Sequence, residues 1–531
     1  MIYFLASFDA VQSDIQHTTL STAMVSSWQV ITAPAIAYAV YRIVKWFIYF
    51  RSYRAIFHKC PGETEFHWLY GTVHLYPGPN EAGLQYDRDL PKRFPKFNRI
   101  WLGPFIPLII LYHPDTVRSI LKISAPKPRG QFTSSVYDMA LPWLGEGLLI
   151  SNNERWARNR RLLTPGFHFD ILRPYVNIYN TAVEILIDKI STTAKTGETF
   201  EVFDAMSLLT LDIILKCAFS YESQCQVQGY NMAYVTAVKE LQDMWVARSL
   251  KPWLHMDWAF KLTQDGKKFY KHCDYVHSVT EDLIDKRRKF MENSKNNSEK
   301  QKERKHLDFL DILLTAKDED GKGLTPYEIR SEADTFLFEG HDTTTSAISW
   351  TLYSLAEHPH FQKQVQDEVD EILKDRDSPN IQFEDLPKLV FLGQCIKEGL
   401  RLHTPVTFIE RELKEELDLD GHIIPPGTMV AMQIYALHHN FMVWDDPMVF
   451  KPERFSSENV KDMDPFAFIP FSAGLRNCIG QNFAMHEMKV VIARILHSFT
   501  LSLDPDWEVK KAPRAVMKSE NGIKMFATKR T

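Results

Sequence analysis

No two cysteines of this chain stand at a zinc-type or redox-type spacing. Cys60, Cys217, Cys225, Cys273, Cys395 and Cys478 are the six in 531 residues. That scatter points away from a disulfide framework and towards reduced thiols on the cytosolic side. An excess of basic charge is also missing: 62 Lys and Arg face 67 Asp and Glu, a formal net charge of -5. This argues against a nucleic-acid partner, which needs a basic face. No Gly-x-Gly-x-x-Gly run occurs, so no dinucleotide or flavin module is built in. Beyond residue 60, no Gly/Ser- or Pro-rich linker, internal repeat or low-complexity tract divides the chain. With 45% hydrophobic residues, residues 61-531 read as one large domain behind a separate segment, 1-60.

That first segment has its own pattern. From Ile15 to Tyr41 no residue is charged. Leu20–Tyr41 is long enough to cross a bilayer as a helix, although Ser21, Thr22, Ser26, Ser27, Gln29 and Pro34 dilute it. No Lys or Arg precedes Arg42; Lys45, Arg51, Arg54 and Lys59 then follow quickly. The positive-inside rule puts the rest of the chain in the cytosol. Trp46-Phe47-Ile48-Tyr49-Phe50 suits the headgroup zone. Asp9 and Asp14 stand where a cleaved signal peptide would carry basic residues. The expectation is a single N-terminal membrane anchor.

The remainder reads mostly as helix. Ile100–Leu102 and Pro107–Leu111, split by Gly103-Pro104, form a hairpin pattern. Amphipathic stretches fill Pro174–Thr193, Ser207–Tyr221 and Tyr230–Leu250, and a long helix runs from Thr325-Pro326 to Glu357. Glu292–His306 is a solvated connection.

Chemistry concentrates in a few places. Phe471-Ser472-Ala473-Gly474-Leu475-Arg476-Asn477-Cys478-Ile479-Gly480 reads as a loop that hands one thiolate, Cys478, to a haem iron, where it favours O–O cleavage. Gly474 and Gly480 suit turns closed to other residues. Backbone N–H groups can donate to the sulfur, and Arg476 can meet a propionate. The helix opening at Gln481 favours a negative sulfur at its N-terminus. Within the long helix, Gly340 and Thr343-Thr344-Thr345 are poor helix formers. Their hydroxyls are expected to bond back and bend the turn, making room for oxygen. Glu339 lies four residues before Thr343, on the same face. Glu398 and Arg401, three apart, can pair, and Arg454 offers a second planar fork. Buried, that triad would lock the Cys478 loop. Trp156 and Arg160 share one helix face.

The Phe-x-x-Gly-x-Arg-x-Cys-x-Gly stretch resembles the haem-binding signature of the cytochrome P-450 monooxygenases, and the match extends from about Pro61 to the C-terminus. Leu141–Leu149, Arg161–Phe169 and Phe338–Thr345 are similar to family 4, the fatty-acid and eicosanoid ω-hydroxylases of animals. The resemblance implies a mainly α (α+β) fold, a helical haem domain with small β-sheets. It implies haem b ligated through Cys478, with Phe471, Trp156, Arg160, Arg411 and Arg476 as further cofactor-binding residues. Near Arg411, Thr404 and Glu410 depart from the commoner pattern. Asp342 and Thr343 match the acid–alcohol pair that guides protons, and Gly340 the small residue beside it. Glu339 matches a glutamate that can form an ester to a haem methyl. Electrons would come from NADPH through a separate NADPH–cytochrome P-450 reductase, with cytochrome b5 as an optional donor, at the endoplasmic reticulum membrane.

Other readings stay open. The same chemistry could act on another lipid or a xenobiotic. A haem-thiolate isomerase or dehydratase would not need Asp342 and Thr343, and a membrane haem sensor would need neither them nor a reductase. Lys127 and Arg129 read as solvated, with a hold on a substrate carboxylate as the alternative. Arg158 and Arg161 are either solvated or part of a basic face for an acidic reductase.

Overall fold

The computed structural model describes residues 32–48, 50–123, 125–130, 135–228, 232–295 and 308–530. The chain divides into two units, Met1–Cys60 and Pro61–Thr531. In the first, 32–48 and 50–58 are helical and mostly exposed. Residues 20–31 of the expected span Leu20–Tyr41 lie outside the described residues. Among the described residues, no helix is long and apolar enough to cross a membrane.

The second unit is mainly helical with small sheets. The expected hairpin is present as β1 (Phe97–Leu102) and β2 (Ile106–Leu111), antiparallel with Phe97 opposite Leu111. Gly103 makes its turn at φ 63°, a conformation other residues adopt at a cost. β3 (Phe408–Glu412) pairs antiparallel with β4 (Met429–Gln433), which runs parallel to β2. The sheet order is therefore β1-β2-β4-β3.

The helices that position the site are α1 (Val136–Leu144), α2 (Asn153–Leu163), α3 (Tyr175–Thr196), α4 (Val202–Phe219), α5 (Met232–Ser249), α6 (Gln264–Lys295), α7 (Pro326–Glu357), α8 (Val390–His403) and α9 (Gln481–Ser498). Of the three amphipathic stretches and the long helix expected, three match α3, α5 and α7 within three residues, with 230–231 outside the described residues. α4 starts five residues before its expected Ser207, because the Glu201 carboxylate accepts from Phe203 N and Asp204 N and caps it there. Of the expected connection Glu292–His306, residues 292–295 end α6, and 296–306 lie outside the described residues.

α7 is the axis of the domain. Thr325 and Glu328 close a reciprocal cap at its start, with Pro326 in the first turn. Gly340 then lets α4 come close: a Cβ there would sit 2.6 Å from Ile214 Cδ1. Trp143 of α1 meets Phe338 of α7 with ring centroids 4.6 Å apart. A core of this kind tolerates little change of volume.

Candidate active site

α7 marks where the interior opens. From Ser331 to Leu352 every residue is buried except Glu339, Gly340 and Thr343. These lie on one face: Ile214 of α4 approaches Gly340, while Glu339 and Thr343 border an internal space beside it. The Cys478 sulfur opens to the same space. Its side chain has accessible surface, yet burial pushes its thiol up to about 12, with the Glu339 charge adding to the rise. A thiol that is exposed yet deep among protein atoms lines a cavity. Glu339 behaves alike: burial raises its carboxyl to about 7, against the pull of Lys127. Glu339 and Thr343 on one wall and Cys478 on the other thus face a common interior.

The Cys478 loop is shaped by its backbone. Ser472 takes φ 58° and Gly474 φ 72°. A Cβ at Gly474 would collide with the Leu121 carbonyl, so glycine is required there. The same expectation for Gly480 does not hold. Its φ is -89° and a Cβ would meet only ordinary contacts at 3.7 and 4.0 Å. What Gly480 does supply is a backbone N–H that bonds to the Cys478 sulfur and favours its negative form. Cys478 N in turn donates to the Phe471 carbonyl at 2.9 Å, and the half-buried Phe471 ring packs on the main core.

Arginines edge this space. Arg160 donates to both Asn477 O (2.7 Å) and Asn477 Oδ1 (2.9 Å), bracing the residue beside the thiol. Arg476 lies 4.6 Å above the Trp156 ring and donates to Asn152 Oδ1 at 3.1 Å and to the Ser151 carbonyl. A cleft of about 280 Å³ runs along this edge, lined by Trp156, Arg476 and Ala125 among others. Among the described residues, the buried Arg411 side chain donates only to its neighbour's carbonyl, Glu410 O, at 2.8 Å. Burial pushes Arg476 down to about 9, and the charge of Arg411 adds to it. Arg160 and Arg411 are lowered by burial as well. Among the described residues none of these three forms an ion pair.

A thiol opposite the helix face that carries Glu339, Gly340 and Thr343, rimmed by desolvated cations without carboxylate partners among the described residues, fits a flat, dianionic porphyrin. Cys478 would hold the iron, and Arg160, Arg411, Arg476 and Trp156 the propionate edge.

The threonines do bond back: Thr343 Oγ1 to Glu339 O (2.7 Å), Thr344 to Gly340 O (2.9 Å) and Thr345 to His341 O (2.7 Å). The helix is unbroken through this turn and runs on to Glu357. The place of the missing Gly340 side chain is taken by Ile214 of α4. Asp342 is not on the open face. It is buried, with Oδ1 2.8 Å from Lys518 Nζ and Oδ2 lacking a partner. Lys518, on the short strand Met517–Ser519, was not legible as a site residue.

The Glu398 triad is buried as expected. Arg401 grips Glu398 with two bonds (2.7 and 2.8 Å), and Arg454 Nε stands 3.4 Å from the same carboxylate. The route to the Cys478 loop passes through a residue the sequence did not single out, His438. Its carbonyl accepts from Arg401 at 2.8 Å, and its Nε2 accepts from Ile469 N at 3.0 Å. Ile469 O then holds Ser472 N at 2.9 Å.

Two readings of surface cations change. Arg158 is consumed by Asp318 (2.6 Å), Glu328 and two carbonyls, whereas Arg161 is exposed and pairs with Glu319. Arg129 is tied to Asp138 and the Ile150 carbonyl. Lys127, expected in solvent, is buried.

Comparison with known proteins agrees with this geometry. Residues 61–526 match the cytochrome P-450 family. The chain is 44% identical over 483 residues to rat (Rattus norvegicus) cytochrome P-450 4F4, covering 90% of this chain and 91% of that one. It is 44% identical over 478 residues to leukotriene-B4 omega-hydroxylase 3 of Mus musculus, covering 89% and 90%. It is 42% identical over 460 residues to the human (Homo sapiens) ultra-long-chain fatty acid omega-hydroxylase, covering 86% of each. The chain belongs to the cytochrome P-450 family: it is a haem-dependent monooxygenase that receives NADPH-derived electrons through a reductase.

Proposed function

We propose that this enzyme hydroxylates the terminal, ω carbon of long-chain fatty acids or eicosanoids, at the cytosolic face of the endoplasmic reticulum membrane. The observation that carries the reading is Glu339, an ionisable group that α7 presents to the cavity opposite Cys478. An unpaired carboxyl in such a place costs free energy unless it is used. Two of the similar proteins are named as omega-hydroxylases, of leukotriene B4 and of ultra-long-chain fatty acids.

Haem b, ligated by Cys478, supplies the activation of O2 when bound. The other roles fall to side chains. Glu339 would form an ester with the cofactor during turnover and stiffen the wall beside the substrate. A terminal C–H is stronger than its inner neighbours, so regiochemistry has to come from positioning. Trp156, Arg160, Arg411 and Arg476 fix the propionate edge, while Phe471 packs behind the Cys478 loop. The Thr343 hydroxyl gives its proton to Glu339 O, leaving its lone pairs free towards the cavity. Asp342 is the proton carrier behind it. Lys518 Nζ lies 2.8 Å from its Oδ1, so each transfer requires the pair to part. Gly340 keeps the turn narrow. Electrons arrive from NADPH–cytochrome P-450 reductase, with cytochrome b5 as an optional donor. The N-terminal segment anchors the enzyme; Ile36, Ile43, Phe47 and Ile48 are exposed on its helix.

The test is turnover with added reductase and NADPH, with products separated by mass spectrometry. Terminal alcohols from fatty acids or eicosanoids are expected, and exclusive subterminal products would overturn the regiochemistry. Acidified organic solvent should leave part of the haem on the protein after turnover; full release defeats the ester. Thr343→Val and Asp342→Asn should consume NADPH with less alcohol formed per NADPH. Unchanged coupling in both would remove the proton roles.

A further inference from the structure

Among the described residues, Lys127 is a buried cation near the site that no motif claims. Its backbone is pinned on both sides by Asn152: Lys127 N donates to Asn152 Oδ1 at 2.8 Å, and Asn152 Nδ2 donates to Lys127 O at 2.9 Å. Asn152 Oδ1 also accepts from Arg476. One side chain therefore registers Lys127 against the cationic edge of the pocket. The residue is 6% exposed. Its ammonium donates to Tyr137 Oη at 2.8 Å and lies 4.2 Å from the Tyr137 ring centre. Tyr137 Oη also accepts from Glu410 N at 3.3 Å, so the phenol is fixed between α1 and β3.

No carboxylate of the described residues lies within 4 Å of this ammonium. The charges that bear on it most are repulsive, Arg411 and Arg476, ahead of the attractive Glu339 and Glu410. A buried ammonium with one neutral partner and two cationic neighbours is costly. The same deficit recurs at Arg411 and Arg476, which also have no ion-pair partner. Three cations short of an anion and held in mutual register describe a carboxylate-binding cluster.

We propose that Lys127, steered by Tyr137, is a carboxylate-binding residue of the pocket, and that the carboxylate is a haem propionate shared with Arg411 and Arg476. A substrate carboxyl has the same chemistry. The propionate is favoured because Lys127 belongs to the cation cluster around Arg411 and Arg476. A chain oxidised at its far end keeps its carboxyl remote from the iron. The inference rests on the haem-thiolate reading and deepens it.

The experiment uses full-length protein that has never met reductase, so that no ester has formed. Loss of haem b to apomyoglobin is followed for the wild type, Lys127→Gln and Lys127→Arg. Each is also reconstituted with haem dimethyl ester, whose propionates carry no charge. We expect Lys127→Gln to lose haem b about tenfold faster or more, ~1.4 kcal/mol. Lys127→Arg should recover most of this, and the esterified haem should leave wild type and Lys127→Gln at equal rates. Should Lys127→Gln fail to fold, Tyr137→Phe, which keeps the charge and removes its steering hydroxyl, is expected to speed haem b loss in the same assay. Wild-type rates in the folded variant overturn the proposal. So does acceleration that persists with the dimethyl ester. Wild-type haem loss with weaker binding of a fatty acid, but not of the matching fatty alcohol, assigns the ammonium to substrate and overturns it too. A wild type lacking the strongly red-shifted Soret band in the reduced carbon monoxide state sinks the haem-thiolate reading itself, a separate outcome.

Discussion

Glu398→Ala should cost the enzyme both stability and haem. Glu398 and Arg401 are each 0% exposed. The carboxylate takes two bonds from Arg401, one from Lys451 N at 2.9 Å, and the approach of Arg454. Removing it leaves the Arg401 guanidinium with the carbonyls of His438, Pro447 and Val449 and no counter-charge. Breaking a buried pair from one side costs about 3–5 kcal/mol. Against a total stability of ~5–15 kcal/mol, that is a large share. The loss should propagate through His438 and Ile469 to the Cys478 loop. Urea unfolding at fixed pH reads the stability, and the reduced carbon monoxide spectrum reads the haem-thiolate fraction. Arg401→Leu should do similar harm. The double variant Glu398→Leu/Arg401→Leu should be less destabilised than the two singles added, because no charge is then orphaned. A Glu398→Ala protein within about 1 kcal/mol of wild type, with normal haem content, would refute the locking role.

Other consequences can be checked by equilibrium unfolding. Gly340→Ala puts a methyl 2.6 Å from Ile214 Cδ1. Overpacking of this kind costs about 1–3 kcal/mol, and Ile214→Ala in the same chain should recover part of it; a neutral Gly340→Ala would show that α4 gives way freely. Asp334 on α7 is buried, and burial raises its carboxyl to about 8 from an ordinary 3.8, with the Thr280 hydrogen bond opposing the rise. Between about pH 4 and 8 the unfolded chain has released this proton and the folded chain retains it, so the group's contribution falls as pH rises. Asp334→Asn should remove that loss, gaining stability over wild type by up to ~1.4 kcal/mol per pH unit in this window. Parallel pH profiles for the two proteins would contradict it.

Much of the candidate site could be proposed from sequence because its chemistry is local in the chain. Cys478, Arg476 and Phe471 lie within eight residues, and Glu339 to Thr343 within two turns of one helix. The hairpin was legible for the same reason, two short apolar runs on either side of Gly103-Pro104. What escaped depends on remote segments. The parallel pairing of β2 with β4 joins strands more than 300 residues apart in the chain. The burial of Lys127 is imposed by Asn152, Tyr137 and β3, none of which changes the local look of Ser124-Ala125-Pro126-Lys127. His438 became a bridge only once α8 and the Cys478 loop enclosed it. Lys518 meets Asp342 because the C-terminal strands fold back over α7. The back-bonds of Thr343–Thr345 were legible from the residue types alone, and they return to the preceding turn without breaking the helix.

The central claim is that the Cys478 sulfur binds haem iron as a thiolate. Purified protein should be reduced, exposed to carbon monoxide and scanned, alongside Cys478→Ala. The account predicts a strongly red-shifted Soret band in the wild type that vanishes in the variant. A band missing from the first, or surviving in the second, contradicts it.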